Sequence, residues 1–335
     1  MRISIALVLI WSCWVESIPL LRRHHDEWHA WKAHHSRHYF SVAEEQHRYE
    51  VWLDNKLYVD QHNSQADKLG YSLKLNAFGD KTYFEWWNIT SCHSTSALSS
   101  SLHEPYKYKG SVQSLPTSVN WILDNAVTPV KNQEDNLCHS CYAFAATGAL
   151  EGALAILKGN LVSLSEQQIL DCSRVFSNAG CHGGSYRSAW SYISAAGGIE
   201  SQESYPYHSY TSVCSFNEGQ AVTTVKKVLT VQTGSETDLM AAVAEVGPVA
   251  VAIDHRHRSF QFYSYGVYSA EDCSNLSKDL SHEMLVVGYG THSGRDFWLV
   301  KNSYGLYWGI SGYMMLARNR GNMCGVATEA GLPIP

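Results

Sequence analysis

The sequence predicts an α+β protein made of three successive regions: a helical N-terminal segment, a helical half-domain and a β-rich half-domain. Apolar residues recur at helical spacing up to residue 63, and a second helical run covers residues 141–158. After residue 220 the apolar runs become short, β-branched and aromatic, with glycines between them, as in strands. The 335 residues suffice for two or three domain-sized units, and the 45% hydrophobic content predicts a packed core.

Residues 1–17 predict a secretory signal. One arginine precedes a short apolar run, residues 3–15, and we place the cleavage near Ser17. The run is too short to favour the alternative, a membrane anchor, and no other long apolar segment occurs, so we expect no membrane span. Entry into the secretory route makes the sequons at Asn88 and Asn275 candidate glycosylation sites, although unmodified sequons are also common.

Residues 24–63 have the pattern of amphipathic helices. Ser41 followed by Glu44 predicts a capped helix start, and Glu44 with Arg48 predicts an ion pair one turn apart. The apolar face of this helix comprises Tyr49, Trp52, Leu53 and Leu57. Residues 91–110 are polar and rich in serine, which predicts an exposed linker of the kind that proteases cut.

The other two regions begin near Leu115. We predict a helix over residues 141–158 that is stopped by Gly159, and a second helix around residues 165–170. A loop rich in glycine and aromatic residues follows at residues 178–186. Strands are predicted in the later apolar runs, at residues 221–231, 248–254, 284–290, 297–302 and 312–317.

Charge and composition exclude several function classes. The net charge is -6 and no basic stripe occurs, so nucleic acid is not an expected partner. Acid would make the chain strongly positive, because it has 17 histidines and histidine titrates near pH 6.5. The cysteines and histidines show no four-ligand zinc spacing, and we expect neither a metal nor a cofactor.

The block CHSCYAF at residues 138–144 places Cys141 at the start of a predicted helix. The positive end of the helix dipole favours the thiolate, which is the nucleophilic form of cysteine. Seven of the nine cysteines follow residue 110, so three pairs would leave one thiol. An isolated C-x-x-C is more often buried or disulfide-bonded, and His282 and Asn302, far downstream, favour the nucleophile instead.

Three blocks, at residues 138–144, 281–290 and 298–309, resemble the active-site blocks of papain-family cysteine peptidases, close to the cathepsin L group. The resemblance begins at about residue 26 and includes the ERFNIN signature of the proregion and the shorter motif after it. The matching residues are Glu44, Arg48, Trp52, Asn55, Val59 and Asn63, then Asn76, Phe78 and Asp80. The resemblance implies a papain-like two-lobed peptidase domain over residues 114–335, with a helical left lobe and a β-barrel-like right lobe, behind an α-helical inhibitory propeptide over residues 18–113.

The resemblance also implies a role for each matching site residue. Cys141 would attack the peptide carbonyl, and His282 would hold the thiolate as an ion pair and protonate the leaving amine. Asn302 would orient the imidazole, as in Cys-His-Asn triads. The Gln133 amide and the Cys141 backbone N–H would bind the developing oxyanion.

Disulfides and the substrate cleft follow from the same resemblance. It implies the pairs Cys138–Cys181, Cys172–Cys214 and Cys273–Cys324, and leaves Cys141 free. Gly183 and Gly184 would let a peptide backbone approach closely. The pocket for the second residue before the cut would be lined by Tyr186, Ala252, Leu280 and Glu329. An acid such as Glu329 implies that arginine is accepted beside apolar side chains; a solvent-facing Glu329 without a role is the alternative.

Several positions depart from the family pattern. Cys138 lies five positions after Gln133, whereas three is usual in the family. This longer loop could misplace the oxyanion donor, and such a defect costs about 10²–10³ in rate. His139 replaces a glycine, and Tyr304 replaces the tryptophan that normally shields the His–Asn bond. Glu283 follows His282, and a carboxylate beside the imidazole is expected to favour its charged form.

The sequence therefore predicts a cysteine endopeptidase, lysosomal or secreted, made as a zymogen. Its expected partners are peptide and protein substrates, its own propeptide and cystatin-like inhibitors, and a monomer is expected. Acid would release the propeptide by protonating carboxylates and proregion histidines, unless those histidines are solvated surface residues; they are His24, His25, His29, His34, His35 and His38. The alternative is a weakened or inactive homologue that acts as a binding or inhibitory protein, which the altered loop before Cys138 favours.

Overall fold

A computed structural model describes residues 22–94, 102–133 and 138–335 of the chain. The predicted signal segment lies outside the described residues, as does the loop that follows Gln133. The described N-terminal region is helical, as the sequence predicts. Its elements are a helix over residues 22–34 (α1), α2 (Val42–Asn63), α3 (Ala66–Leu69), the short strand β1 (Tyr71–Leu73) and α4 (Tyr83–Thr90).

Aromatic packing joins α1 to α2. Trp28 and Trp52 are buried with their ring centroids 5.6 Å apart, and Trp31 completes the cluster. The predicted start of α2 is confirmed, because the Ser41 hydroxyl accepts a hydrogen bond from the Glu44 backbone N–H at 3.1 Å. The helical pair therefore has a small hydrophobic core of its own.

The predicted ion pair between Glu44 and Arg48 is wrong. Arg48 donates instead to the carboxylate of Glu85 at 2.8 Å and to the carbonyl oxygen of Asp80 at 3.1 Å. The reason is that α4 folds back against α2, where the Arg48 side chain is only 17% exposed and meets a fixed acceptor. A half-buried partner one turn away on the helix surface, such as Glu44, contributes little by comparison.

Asn55 fastens the helical N-terminal region to the rest of the chain. Its side chain is 2% exposed and donates to the carbonyl oxygens of Gly79 and Lys81, both at 2.9 Å. It also accepts hydrogen bonds from the Arg258 guanidinium, at 2.7 and 3.1 Å. Because Arg258 begins α9 (Arg258–Gln261) in the β-rich region, this one amide ties together segments about 200 residues apart.

The helical half-domain contains α5 (Cys141–Lys158), α6 (Glu166–Cys172) and α7 (Tyr186–Ala195). The predicted helix 141–158 is confirmed, and it ends at Gly159, whose φ of 67° favours glycine. Helix α5 packs against the sheet on one side and against α6 and α7 on the other. Among the described residues it alone is long and apolar enough to cross a membrane, but 83% of that stretch is buried inside the fold.

The β-rich region and the N-terminal region together form one sheet, which has ten strands among the described residues. Helix α8 (Glu236–Glu245) packs against it. Beyond β1, the strands are β2 (His103–Tyr106), β3 (Val119–Asn120), β4 (Lys227–Val231), β5 (Val249–Ile253), β6 (Tyr263–Tyr268), β7 (His282–His292), β8 (Arg295–Lys301), β9 (Tyr313–Ala317) and β10 (Glu329–Ile334).

The two strands from the N-terminal region occupy the two ends of the sheet. The order is β1-β6-β9-β8-β7-β5-β10-β4-β2, and β3 pairs with β7 off this path. Strand β1 runs antiparallel to β6, and β2 runs parallel to β4. Strand β7 lies between β5 and β8 and begins at His282, while α5 packs against it from the helical side. The predicted α+β fold is confirmed.

His35 lies where α1 meets the C-terminal part of the chain. Its ring centroid is 5.1 Å from that of Trp31 and 5.7 Å from that of Tyr307. The pKa of His35 is lowered to about 4, mainly by burial and also by the charges of His34, Arg37 and Lys74, which the charge of Asp80 only partly offsets. The folded state therefore prefers neutral His35, and the resulting stability is present above pH ~6.5 and is lost as the pH falls towards 4.

We expect His35→Gln to weaken the acid sensitivity of the N-terminal helices. Between pH 7 and pH 4.5 the wild-type region should lose about 1 kcal/mol more stability than the variant, after discounting for the partial exposure of the ring. Pulse proteolysis in urea at the two pH values measures the difference. His38→Gln, at an exposed position of the same segment, is the matched control, and equal acid sensitivity of His35→Gln and wild type would contradict the prediction.

Candidate active site

Cys141 is the first residue of α5 and is fully buried. The helix start exposes backbone N–H groups and the positive end of the dipole to its sulfur. The sulfur also accepts a hydrogen bond from the Glu283 backbone N–H at 3.2 Å. Both contacts stabilise negative charge on sulfur, as a nucleophilic cysteine requires.

His282 begins β7 and reaches the same point from the opposite side of the cleft. Its Nε2 lies 2.9 Å from the Asn302 Oδ1, and this contact orients the ring so that Nδ1 faces the cysteine side. The Nδ1 of His282 and the sulfur of Cys141 lie within a cluster of atoms that are all less than 4.8 Å apart. The structure thus brings together the three residues of the predicted triad.

Tyr304 stacks on the His282 ring with a centroid separation of 4.8 Å, and its hydroxyl lies 3.3 Å from Nδ1. The pKa of His282 is lowered to about 4, mainly by burial and also by the charge of His93, and the hydrogen bond to Asn302 only partly offsets this. The imidazole is therefore neutral at neutral pH while this arrangement persists. Glu283 does not contribute to this shift, contrary to the expectation from sequence.

Gln133 is fully buried next to Ser303. Its backbone N–H donates to the Ser303 carbonyl oxygen at 2.9 Å, and its side-chain carbonyl accepts from the Ser303 hydroxyl at 2.6 Å. These bonds fix which end of the amide is the donor. The NH₂ group of Gln133 has no hydrogen-bond partner among the described residues. It can therefore donate a hydrogen bond to an acceptor that binds in the cleft.

Cys141 carries a disulfide to Cys92, so the expectation of a free Cys141 is wrong for this form of the chain. The Cα atoms of the pair are 5.8 Å apart, within the range that disulfides span. The Cys92 sulfur is also 3.9 Å from the Nδ1 of His282. The reason is the path of the N-terminal segment, which crosses the cleft directly above Cys141.

Backbone hydrogen bonds hold this crossing. Gly184 N–H donates to the Cys92 carbonyl oxygen, and Ser94 N–H donates to the Gly184 carbonyl oxygen, both at 2.8 Å. Cys92 N–H donates to the Ser281 carbonyl oxygen at 3.0 Å. A Cβ on Gly183 would lie 2.7 Å from the Cys92 carbonyl oxygen, so glycine is needed for the close approach. The predicted exposed linker 91–110 is therefore wrong at its start, because residues 92–94 bind as a strand.

The side chain of His93 enters the pocket predicted for the second residue before the cut. Its Nδ1 lies 2.6 Å from the Glu283 carboxylate and its Nε2 lies 3.7 Å from the Glu329 carboxylate. Ala252 of β5 is the strand neighbour of both acids. Tyr186 donates its backbone N–H to Glu283 at 2.9 Å. Leu280, the remaining predicted member, is buried and packs against Gly325.

Glu283 points away from His282 because successive side chains of a strand face opposite sides of the sheet. Its carboxylate lies in the pocket of His93, and its pKa is raised by burial, which the hydrogen bond and charge of His93 only partly offset. Burial lowers the pKa of His93, but Glu283 and Glu329 together raise it above its usual range. Glu283 is thus a pocket residue, and the expectation that its carboxylate lies beside the His282 imidazole is wrong.

The other cysteines form three disulfides, the pairs that the family resemblance implies: Cys138–Cys181, Cys172–Cys214 and Cys273–Cys324. The sequence did contain a signal for the fourth bond. Outside the signal segment there are eight cysteines, and counting only those after residue 110 left out Cys92. The asparagines of both sequons, Asn88 and Asn275, are exposed.

A buried cysteine at a helix start, a histidine oriented by an asparagine, and a cleft filled by the chain's own N-terminal segment are the features of a cysteine peptidase in its inactive precursor form. The comparisons with known proteins agree. Residues 115–334 match the papain family cysteine protease, and residues 28–86 match the cathepsin propeptide inhibitor domain. The chain belongs to the papain family of cysteine proteases.

Relatives along nearly the whole chain include cathepsins, their precursors and a silicatein. The chain is 42% identical to procathepsin L of Rattus norvegicus, with 92% of this chain and 91% of the relative covered. It is 44% identical to a silicatein of Petrosia ficiformis, with 92% and 93% covered. The solved structure of digestive procathepsin L 3 of Tenebrio molitor matches with a TM-score of 0.84 and 40% identity, over 93% of this chain and 99% of that one. The protein is a cysteine endopeptidase made as a zymogen, and its own propeptide is its inhibitor.

Proposed function

We propose that Cys141 is the nucleophile of this peptidase and that His282 is its general base and acid. The observation that supports this most directly is the convergence of the Cys141 sulfur, the His282 Nδ1 and the Asn302 contact in one buried site. Asn302 orients the imidazole, and the Gln133 NH₂ with the Cys141 backbone N–H binds the oxyanion. Peptide bonds that enter the cleft along Gly183 and Gly184 are attacked by the thiolate to give an acyl-enzyme, which water then hydrolyses.

Maturation removes residues 18–113 and leaves residues 114–335 as the active enzyme. Residues 111–114 are exposed, which makes them accessible to a protease, whereas Leu115 is buried. The cut therefore falls at the border between an exposed segment and the folded peptidase domain.

Acid favours this maturation through buried groups whose charge the zymogen suppresses. His35 has the lowered pKa described above, and burial also lowers the pKa of His62 at the end of α2. Both rings must charge as the pH falls, which destabilises the propeptide fold. His93 works in the opposite direction, because its pKa is raised and its contact with Glu283 therefore persists in mild acid.

The secretory signal, the disulfides and the exposed sequons support a route through the secretory pathway to lysosomes or to the outside of the cell. Glycans at Asn88 and Asn275 would meet no steric obstacle, since both side chains are exposed. A cleft that binds a propeptide segment as an extended strand can also bind cystatin-like inhibitors. The enzyme acts as a monomer.

The peptidase assignment is tested by acid incubation of the purified proform with a reductant, followed by assays with fluorogenic peptides. We expect processing near residue 114, labelling of Cys141 by a thiol-directed epoxide, and hydrolysis with kcat/KM above ~10⁴ M⁻¹s⁻¹. Cys141→Ser should abolish labelling and hydrolysis. Labelling of a processed, folded protein without hydrolysis would contradict the assignment and favour the binding-protein alternative.

Gln133→Ala should lower kcat by about 10²–10³ with KM changed less than about threefold, because the lost NH₂ group would bind the oxyanion, which develops only in the transition state. The rate of Cys141 alkylation by iodoacetamide should stay within about twofold of wild type, which separates an oxyanion defect from a damaged nucleophile. A kcat within about threefold of wild type would show that another donor serves the oxyanion.

A further inference from the structure

The pocket beside Cys141 holds a basic side chain from the chain itself. The His93 side chain is 1% exposed there and contacts the carboxylate of Glu283. The residues on either side of His93 make the backbone hydrogen bonds with Gly184, so His93 is held in the cleft as one residue of an extended peptide. The propeptide therefore shows which kind of side chain this pocket accommodates.

The two acids of the pocket differ in what else they bind. Glu329 accepts from the Arg187 guanidinium at 3.1 Å and from the Ser277 hydroxyl, so its charge is already compensated. Among the described residues, Glu283 forms an ion pair with His93 alone, and its other oxygen accepts the Tyr186 backbone N–H. When the propeptide leaves, Glu283 loses its partner His93, whereas Glu329 keeps its partner Arg187.

We propose that Glu283, rather than Glu329, makes the peptidase select a positively charged side chain at the second residue before the cut. This inference rests on the proposed function. Within the part of the chain that the structure describes, the Nε2 of His93 has no hydrogen-bond partner, and it lies 3.7 Å from the Glu329 carboxylate. A longer cation such as arginine has five donors and can reach past Glu283 towards this unused space. Arginine and lysine are therefore preferred over apolar residues of similar size.

The test compares mature enzyme on paired fluorogenic peptides that differ only in arginine or its neutral isostere citrulline at that position. Wild type should prefer arginine at least 10-fold in kcat/KM. Glu283→Gln should reduce this preference to less than about threefold, whereas Glu329→Gln should keep more than half of it. Glu203→Gln, at an exposed position, is the matched control for the change of charge.

Equal cleavage of both peptides by wild type would overturn the proposal and leave the peptidase assignment intact. A preference abolished by Glu329→Gln and kept by Glu283→Gln would also overturn it. Failure to cleave either peptide would instead count against the proposed function. Because the arginine–citrulline comparison needs no variant, the proposal stays testable even if Glu283→Gln does not fold.

The disulfide between Cys92 and Cys141 carries a second, independent inference. We infer that the zymogen is locked covalently and that its activation requires a thiol reductant in addition to acid. The bond occupies the nucleophile itself, Cys141, and both cysteines are almost fully buried. A noncovalent propeptide can dissociate and rebind, but this one stays in the cleft until the bond is broken.

The chemistry balances through ordinary thiol–disulfide exchange. To form the bond, the two thiols lose two protons and two electrons to a low-molecular-weight disulfide, which becomes two thiols. To release it, a small thiolate attacks the Cys92 sulfur, the bond to Cys141 breaks, and Cys141 leaves as a thiolate. A second small thiol then frees Cys92. The helix start at Cys141 favours this direction, because it stabilises Cys141 as the leaving group.

Peptide mapping of alkylated proform without reduction should recover a peptide that links Cys92 to Cys141. At acid pH without reductant, Cys92→Ser should process and label with a thiol-directed epoxide at least 10-fold faster than wild type. With dithiothreitol present, the processing and labelling rates of Cys92→Ser and wild type should agree within about twofold. Cys92→Ala is the second variant, in case the serine hydroxyl bonds in the cleft.

Recovery of alkylated Cys92 and Cys141 from the untreated proform would overturn the inference that a disulfide locks the zymogen. So would wild-type activation that is independent of reductant. Activation by a chelator instead of a reductant would also overturn it, since Cys92, Cys141 and His282 lie close enough to share a metal ion.

Discussion

The backbone hydrogen bonds of residues 92–94 with Gly184 and Ser281 keep the cleft occupied by the N-terminal segment. These few hydrogen bonds place one side chain, Cys92, over the nucleophile and the next, His93, in the adjacent pocket. They form only because Gly183 offers no Cβ to the incoming carbonyl. The helices upstream support this contact, since Arg48 joins α2 to α4 and Asn55 joins α2 to α9, which together fix where the chain enters the cleft.

Strand β7 separates catalysis from recognition by the alternation of its side chains. His282 faces Asn302 and the sulfur of Cys141, whereas Glu283, one residue later, faces the pocket of His93. The backbone between them also contributes, because the Glu283 N–H donates to the same sulfur. A change in pocket chemistry can therefore arise at Glu283 without moving the imidazole, while any shift of β7 itself would disturb both sites together.

Local sequence patterns were sufficient for much of the fold. The limits of α5 followed from the apolar run and Gly159, and the positions of the main strands followed from short β-branched runs between glycines. The partner of Arg48 could not be predicted, since it depends on how α4 folds back. The orientation of Glu283 could have been obtained from strand alternation, and Cys92 from an even count of cysteines. That Cys92 meets Cys141, 49 residues away, is a result of chain path that no local pattern contains.

The strands β1 and β2 have a consequence for the enzyme that remains after processing. Strand β1 lies within the matched propeptide inhibitor domain, and β2 lies before the proposed cut near residue 114, so the proposed processing would open the two lateral edges of the sheet, along β6 and along β4. Open edges invite strand addition by another copy of the protein. The chain limits this at β4, where Lys227 loses its 3.0 Å ion pair with Glu104 of β2 and presents an uncompensated charge next to the exposed Lys226. At β6, Gly266 has a φ of 92°, which interrupts the flat ribbon that self-association needs. We expect the precursor to resist self-association because its edge strands are paired, and the processed form to resist it through the charge at β4 and the bend at β6.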